Sequence, residues 1–450
     1  MRNRPVNIKR LNKDTRRLDG LFYLNENAFL SLVMEDNEEK CMPLSEYATA
    51  YNPPVFKRQF CQNTNKAVPY FQSSDVPNQT EKSEIFINKQ QALKIRATVK
   101  TNQILVTGFG TIGNTRLVSE LQNGVAYANN VCRIDVVGNH KYGFLYAFLS
   151  SKYGRAQMNK NASGSVVRYI EAPGIKKILV PIFPIPKQEK IHNLIVEAAV
   201  SRVDANRLLE EAIIAFENSI PQIEQENQYI VSVKSFGENN LRLDSTTNFS
   251  NIQSFYKSIK QTYKILTIED LSEKVFTPDI FKRVRVNNSK NGVPFLSGSD
   301  LLDSMPRFNS FLSKEMKNLK DYILYKEWIA IQDAGTIGYV TFINGYLEGV
   351  SATNNLVRII PKKIKNNNPY IFTFLKTKQG QAILKSLEYG SVQKHIDNNQ
   401  VSKIKVPIIP LYDNISQNVS LYLDKITEAC NKENEAIHII EKEIDSWQQS

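Results

Sequence analysis

The sequence predicts an α/β chain of mixed α+β character, built as two tandem copies of one unit, each copy followed by a long helix. Three observations carry this. A single internal register runs almost the whole length, both halves show the same order of strand, glycine turn, strand and helix, and an apolar seam at helical spacing follows each half.

The register comes first. Gly110-Thr111-Ile112-Gly113 returns as Gly335-Thr336-Ile337-Gly338, 225 residues later. The same offset relates Arg17-Leu18-Asp19 to Arg242-Leu243-Asp244, Phe56-Lys57-Arg58 to Phe281-Lys282-Arg283, and Val68-Pro69 to Val293-Pro294. It also relates Asn129-Asn130 and Arg133-Ile134 to Asn354-Asn355 and Arg358-Ile359. One inserted residue then shifts the offset to 226, which pairs Phe148-Leu149 with Phe374-Leu375, Gly154 with Gly380, Gly164-Ser165-Val166 with Gly390-Ser391-Val392, and Val180-Pro181-Ile182 with Val406-Pro407-Ile408. A repeat this long is a domain with its own core, not a solenoid turn.

Within each copy, residues 103–107 and 328–332 read as strands, each running through the glycine turn into a second β-rich stretch, Thr115 to Val118 or Tyr339 to Ile343. A hairpin or meander is expected there. Helical spacing follows over 142–158 and 370–387. The proline-flanked segments 180–186 and 406–410 should end the globular part, because proline lacks a donor and restricts its predecessor. Beyond them, Ile191, Ile195, Ala198, Arg202, Ala205, Leu209, Ala212 and Phe216 form one seam. Ile415, Val419, Tyr422, Ile426, Ala429, Glu433, Ile437, Ile440, Ile444 and Trp447 form another. Each is a heptad-like stripe with one polar interruption, and the two helices are expected to pack as an antiparallel coiled coil. The expected divisions are domains at 1–186 and 226–411, with helices at 187–225 and 412–450.

Lys and Arg number 57 against 45 Asp and Glu, a net charge of +12 over 450 residues, which favours polyanionic partners, nucleic acid first. Hydrophobic residues at 42% and charged residues at 23% describe a globular chain. Cys41, Cys61, Cys132 and Cys430 lie far apart with no metal-ligand spacing, as expected for a reducing cytoplasm. The basic N-terminus has no signal-peptide apolar region after it, and the most apolar run, Ile178 to Ile185, is cut by prolines and too short to span a bilayer.

Several motifs invite catalytic readings. Gly108-Phe109-Gly110-Thr111-Ile112-Gly113 fits a dinucleotide cradle, but that needs a helix starting at the last glycine, where Asn114 to Val118 reads as turn and strand, and the second copy has Asp333 at the first position. A structural turn with glycines at positive φ is the plainer reading. Asn52-Pro53-Pro54-Val55 resembles the loop of adenine methyltransferases, with Val55 in place of the stacking aromatic. Pro278-Asp279 lacks the further residues of a nuclease site. His140, His192, His395 and His438 are isolated, and neither a P-loop nor a nucleophile elbow is present.

Tandem α/β units, each with Gly-Ser-Val, a Val-Pro-Ile segment and a long helix, resemble the DNA specificity subunit of Type I restriction-modification enzymes. The most telling stretches are the two Gly-Thr-Ile-Gly turns, Phe144 to Gly154, Gly164 to Val167, Ile178 to Pro186 and Leu208 to Ala212. The second copy departs at His395 to Asn399 and at Tyr412-Asp413. The resemblance implies two target recognition domains, each reading half of a split site in double-stranded DNA, with paired helices as spacer and as docking surface for methyltransferase subunits. It implies no catalysis and no cofactor in this chain. S-adenosylmethionine belongs to the methyltransferase subunits and ATP to a motor-nuclease subunit.

Phosphate contacts give affinity and base contacts give sequence. Residues shared by both copies should therefore be scaffold or phosphate clamps, and residues that differ should be readers. Lys57, Arg58, Lys282 and Arg283 are the clamp candidates. Base readers are expected in 71–100, 296–325, 114–124 and 339–349, and Arg116, Arg168, Tyr339, Gln393 and Lys394 are the specific candidates. Outward apolar residues such as Ile214 and Ile439 suggest helix docking to the methyltransferase. A helix of about 30 residues rises about 45 Å, which limits the spacer to about 13 base pairs. Two other readings stay open: a self-sufficient DNA adenine methyltransferase with its site around Asn52, and a solitary DNA-binding regulator.

Overall fold

The computed structural model describes residues 26–78, 82–163, 168–223, 250–335, 337–390 and 393–448. Arg17-Leu18-Asp19, Arg242-Leu243-Asp244, Gly164 to Val167, Thr336, Ser391 and Val392 lie outside the described residues. The chain divides into two compact units, Met1–Val203 with Ala429–Ser450, and Asp204–Glu428.

The first copy begins with α1 (Glu26–Asp36) and runs through β1 (Cys41–Pro43), β2 (Ala48–Tyr51), β3 (Ala67–Phe71), β4 (Phe86–Asn88), β5 (Ile104–Thr107), β6 (Thr115–Leu117), β7 (Ala126–Tyr127) and β8 (Val131–Val136). Helices α2 (Tyr142–Ser150) and α3 (Lys152–Lys160), strand β9 (Leu179–Pro181) and the long α4 (Ile185–Ser219) come next. The second copy has β10 (Lys264–Thr267), β11 (Ser272–Phe276), β12 (Arg285–Val286), β13 (Gly292–Leu296), β14 (Phe311–Ser313), β15 (Ile329–Gln332), β16 (Val340–Phe342), β17 (Ser351–Ala352) and β18 (Leu356–Pro361). It ends with α5 (Asn368–Lys376), α6 (Lys378–Ser386), β19 (Lys405–Ile408) and α7 (Tyr412–Ser446).

The two copies have the same topology. An antiparallel sheet of order β2-β8-β5-β6 corresponds to β11-β18-β15-β16. A second layer, β4-β3-β7, corresponds to β14-β13-β17, which β12 extends beyond β14, with the β3–β7 and β13–β17 pairs parallel. The hairpin expected across the glycine turn is β5–β6, in the register Ile104↔Leu117. Strand β5 is buried throughout because both of its faces are covered: Ile104 and Val106 join the helix-side core with Phe144 and Phe148, while Leu105 joins Phe71, Val99 and Tyr127.

An arginine joins the layers. Arg133 on β8 is fully buried and donates to the carbonyls of Ala97, Tyr127, Ala128 and Val131. Arg358 on β18 is equally buried and donates to those of Asp321, Tyr322, Ala352 and Thr353. Three of the acceptors, at 97, 127 and 128, recur 225 residues on at 322, 352 and 353. Neither arginine forms an ion pair among the described residues, and burial pushes both guanidinium groups down to about 10.

Two expectations are corrected. The helical stretches are broken in each copy: Ser151 and Thr377 take extended backbone, and their hydroxyls accept from Gly154 N (3.2 Å) and Gly380 N (3.0 Å) as N-caps. Glycine is required there, since a Cβ would lie 2.3 Å from the Phe148 carbonyl or 2.0 Å from that of Phe374. The proline segments are not mere terminators. They form strands β9 and β19, which pair antiparallel with β1 and β10.

In the first unit the long helices run antiparallel, as the ion pairs Lys187–Glu443 (2.6 Å), Glu197–Lys432 (2.7 Å) and Arg202–Glu433 (2.7 Å) require. Ala436, Ile440 and Ile444 enter the same core as Ile191 and Ile195, so the seam steps through Ala436 and leaves Ile437 only partly buried. In the second unit Lys425 pairs with Asp204 at 3.0 Å, and Phe216 packs on Tyr370 and Phe374. In each unit a carboxylate of a long helix also caps a short helix: Glu441 accepts from Lys152 N (2.7 Å) and Glu217 from Lys378 N (2.8 Å). No helix among the described residues is long and apolar enough to cross a membrane.

Replacing Arg133 by Met strands several buried carbonyls and should cost roughly 3 kcal/mol in the first unit, with Arg358→Met doing the same in the second. Lysine should not rescue either site, because an ammonium cannot reach four carbonyls held around a planar guanidinium. Urea unfolding curves with an unchanged midpoint would show that the cages are dispensable.

Candidate nucleic-acid interface

Three loops converge at one end of the four-stranded sheet in each copy. The first is the glycine turn. Gly110 and Gly113, like Gly335 and Gly338, have φ between +73° and +84°, which explains why the peptide recurs. Gly113 N donates to Thr107 O and Gly338 N to Gln332 O, both at 3.1 Å. The chain leaves the turn as strand β6 or β16, so no helix begins at its last glycine.

The second loop leaves the short helices and crosses the glycine turn. Ser163 and Tyr169 exchange backbone hydrogen bonds, as do Tyr389 and His395 in the same register. Ile170 N donates to Gly108 O (2.9 Å) and Ile396 N to Asp333 O (3.1 Å), which docks this loop on the turn. In the first copy the Phe109 ring also stacks on Tyr169 at 5.3 Å.

The third loop carries one sequence pattern twice: Pro53-Pro54-Val55-Phe56-Lys57-Arg58 and Pro278-Asp279-Ile280-Phe281-Lys282-Arg283. Its base is fastened in the first copy by Asn52, whose amide donates to Asn129 O (3.2 Å) and accepts from Ala172 N (2.9 Å). The Asn52 side chain is thus spent on backbone. In the second copy Asp279 O accepts from the Tyr322 hydroxyl at 2.8 Å.

The candidate clamps Lys57, Arg58, Lys282 and Arg283 are all exposed, and none pairs with a carboxylate among the described residues. Arg58 lies 5.6 Å from the Tyr70 ring centroid and donates to its hydroxyl (2.7 Å); Arg283 lies 5.1 Å from Phe295. Residues 70 and 295 are again 225 apart, so the aromatic platform under the arginine is repeated too.

The candidate readers divide. Arg168, Gln393 and Lys394 are exposed on the second loop, Arg168 bonded to Asn159 O and Lys394 paired with Glu388 at 2.8 Å. Tyr339 is half-buried under Lys376, whose ammonium burial pushes down to about 8. Arg116 is not presented at all. It is 7% exposed, and its guanidinium is committed to Gln122 Oε1 (2.9 Å), Val76 O and Asn78 O, a strut beneath a loop. Strand alternation turned it inward, opposite Leu105.

A further polar group at this turn is Asp333, which stands where the first copy has Gly108. Burial raises its carboxyl to about 6, against the pull of His395. Its signal in the sequence is the glycine lost from an otherwise kept turn. Of the histidines, His140 stacks on Tyr47 and His192 accepts from Gly143 N. None of the four cysteines forms a disulfide, and no cluster of metal-ligating side chains occurs among the described residues.

Comparison with curated proteins returns no match. Among solved structures, the S subunit of a Type I restriction-modification system from M. genitalium is similar at 13% identity, covering 91% of this chain and 92% of its own, with a TM-score of 0.33. The HsdS subunit from Thermoanaerobacter tengcongensis is similar at 12% identity, with 90% and 95% coverage and a TM-score of 0.29. The family described as Type I restriction modification DNA specificity domain matches residues 36–212 and again 260–441. With most of its length matched in two successive segments that coincide with the two structural copies, the chain belongs to the Type I restriction modification DNA specificity family.

Proposed function

We propose that the chain is the non-catalytic recognition subunit of a Type I restriction-modification enzyme, acting in the cytoplasm. Each copy reads half of a bipartite double-stranded DNA site, and the long helices dock methyltransferase subunits that carry S-adenosylmethionine, with a motor-nuclease subunit supplying ATP-driven cleavage. One observation supports this above the others: the copies keep the turn, the buried arginine and the Lys-Arg pair on its aromatic platform, yet differ in the exposed loop beside them. Shared cations serve any phosphate backbone, while divergent loops serve different bases. Exposed Ile214, Val200 and Leu421 along α4 and α7 support the docking role. The engagement of Asn52 by backbone favours this reading over a methyl-transfer site in the chain, and binding of S-adenosylmethionine by the purified chain would reverse that preference.

Changing Lys57, Arg58, Lys282 and Arg283 together to alanine should weaken binding to all duplexes and lower the log-log salt slope by up to about 0.9 per lost phosphate contact. An unaltered slope in a salt titration would make these residues bystanders. Arg168→Ala should relax preference in one half-site, and Gln393→Ala with Lys394→Ala in the other; equal losses on specific and random DNA would show that these residues read no bases. Methylation mapping in cells should return two unrelated half-sites with a spacer fixed in length but free in sequence. A single continuous motif would defeat the two-domain reading.

A further inference from the structure

The third loop also presents an apolar residue with no part in phosphate clamping or base reading. Val55 is 87% exposed and Ile280 is 90% exposed, and they occupy the same position, 225 residues apart. One exposed aliphatic side chain is ordinary. Here, however, the same β-branched type is offered twice by a loop built to hold it still. On one side of each tip is a buried proline, Pro53 or Pro278, which fixes the backbone. On the other is an anchoring aromatic: Phe56 packs on the cluster of Val68, Tyr70 and Ile87, and the Phe281 ring lies 3.6 Å from that of Tyr322. Directly after come the Lys and the Arg, the latter resting on its own aromatic ring.

We propose that Val55 and Ile280 are apolar probes that each enter the minor groove of duplex DNA beside the arginine of their own copy, packing on the sugars without regard to base sequence. This rests on the DNA-recognition reading and adds a second kind of contact to it. The charge context selects the occupant, because an apolar tip followed by two cations that form no ion pair among the described residues suits a groove walled by phosphates. The minor groove is also where proteins insert aliphatic side chains among Lys and Arg. Retention of Val or Ile in both copies points away from thymine-methyl readout, which would differ between half-sites. A tip already fixed by proline and phenylalanine loses little conformational freedom on insertion, so the contact is inexpensive to make.

The test uses the full chain carrying Val55→Ser and Ile280→Ser, titrated with labelled duplex across a salt series, beside the parent and a Val55→Leu, Ile280→Leu variant. Affinity of the serine variant should fall about tenfold on specific and random DNA alike, at an unchanged salt slope, because apolar burial is lost and no counterion contact is. The leucine variant should bind within about twofold of the parent. Binding by the serine variant within about twofold of the parent, or a loss accompanied by a reduced salt slope, overturns the probe assignment while leaving DNA recognition standing. A parent chain whose binding shows no salt dependence overturns the DNA-recognition reading itself.

Discussion

Each recognition domain is organised around one buried cation. Arg133 and Arg358 sit between the two sheet layers of their copies with no ion pair among the described residues, and their guanidinium groups donate to backbone carbonyls. Those carbonyls belong to the loops and short strands that connect the layers, segments whose acceptors would otherwise be buried without donors. Desolvating a guanidinium is costly, and the cost is visible in the downward pull on both groups. It is offset because the planar fork satisfies several acceptors at once, which no neutral side chain of that volume can do. The positions of the strand ends, and hence of the loops at that end of the sheet, depend on this constraint.

The same economy explains how one scaffold can carry two different sets of loop side chains. Backbone hydrogen bonds fix the glycine turn and the crossing loop to one another, so their outward side chains are free to vary without disturbing the frame. Gly108 gives way to Asp333 and Arg168 to Lys394, while the hydrogen bonds from residues 170 and 396 to the turn persist. Affinity and specificity can therefore reside on separate sets of atoms, one shared and one divergent.

Much of the architecture was legible because it was written twice. The repeated register located the glycine turn, the strands that flank it and the long helices, since each copy confirmed the period of the other. Side-chain direction was not legible. Arg116 looked like a reader because it lies just beyond the turn, and only the pairing of β5 with β6 shows that it faces inward. Arg133 and Arg358 marked the register without revealing that they are buried, because a single charged residue in an apolar strand carries no sign of where its partners lie in space. The breaks at Ser151 and Thr377 were hidden for a different reason: the apolar spacing continues across them, and only the close approach of Gly154 and Gly380 to a carbonyl exposes the kink.

The polar interruptions in the two helical seams also gain a meaning from the first unit. Arg202 and Glu433 each break an apolar stripe, and each would be destabilising alone. In place they meet at 2.7 Å, and the other oxygen of Glu433 accepts from the Tyr146 hydroxyl, also at 2.7 Å. A buried pair of this kind adds little to stability compared with an apolar pair, but it penalises every other alignment. Sliding one helix by a turn would leave a half-buried guanidinium and a buried carboxylate without partners, whereas the aliphatic residues around them would pack almost as well in the new register. The pair with its tyrosine therefore selects one register of the seam and ties it to helix α2, so that within the first unit the helices and the recognition domain keep a single arrangement.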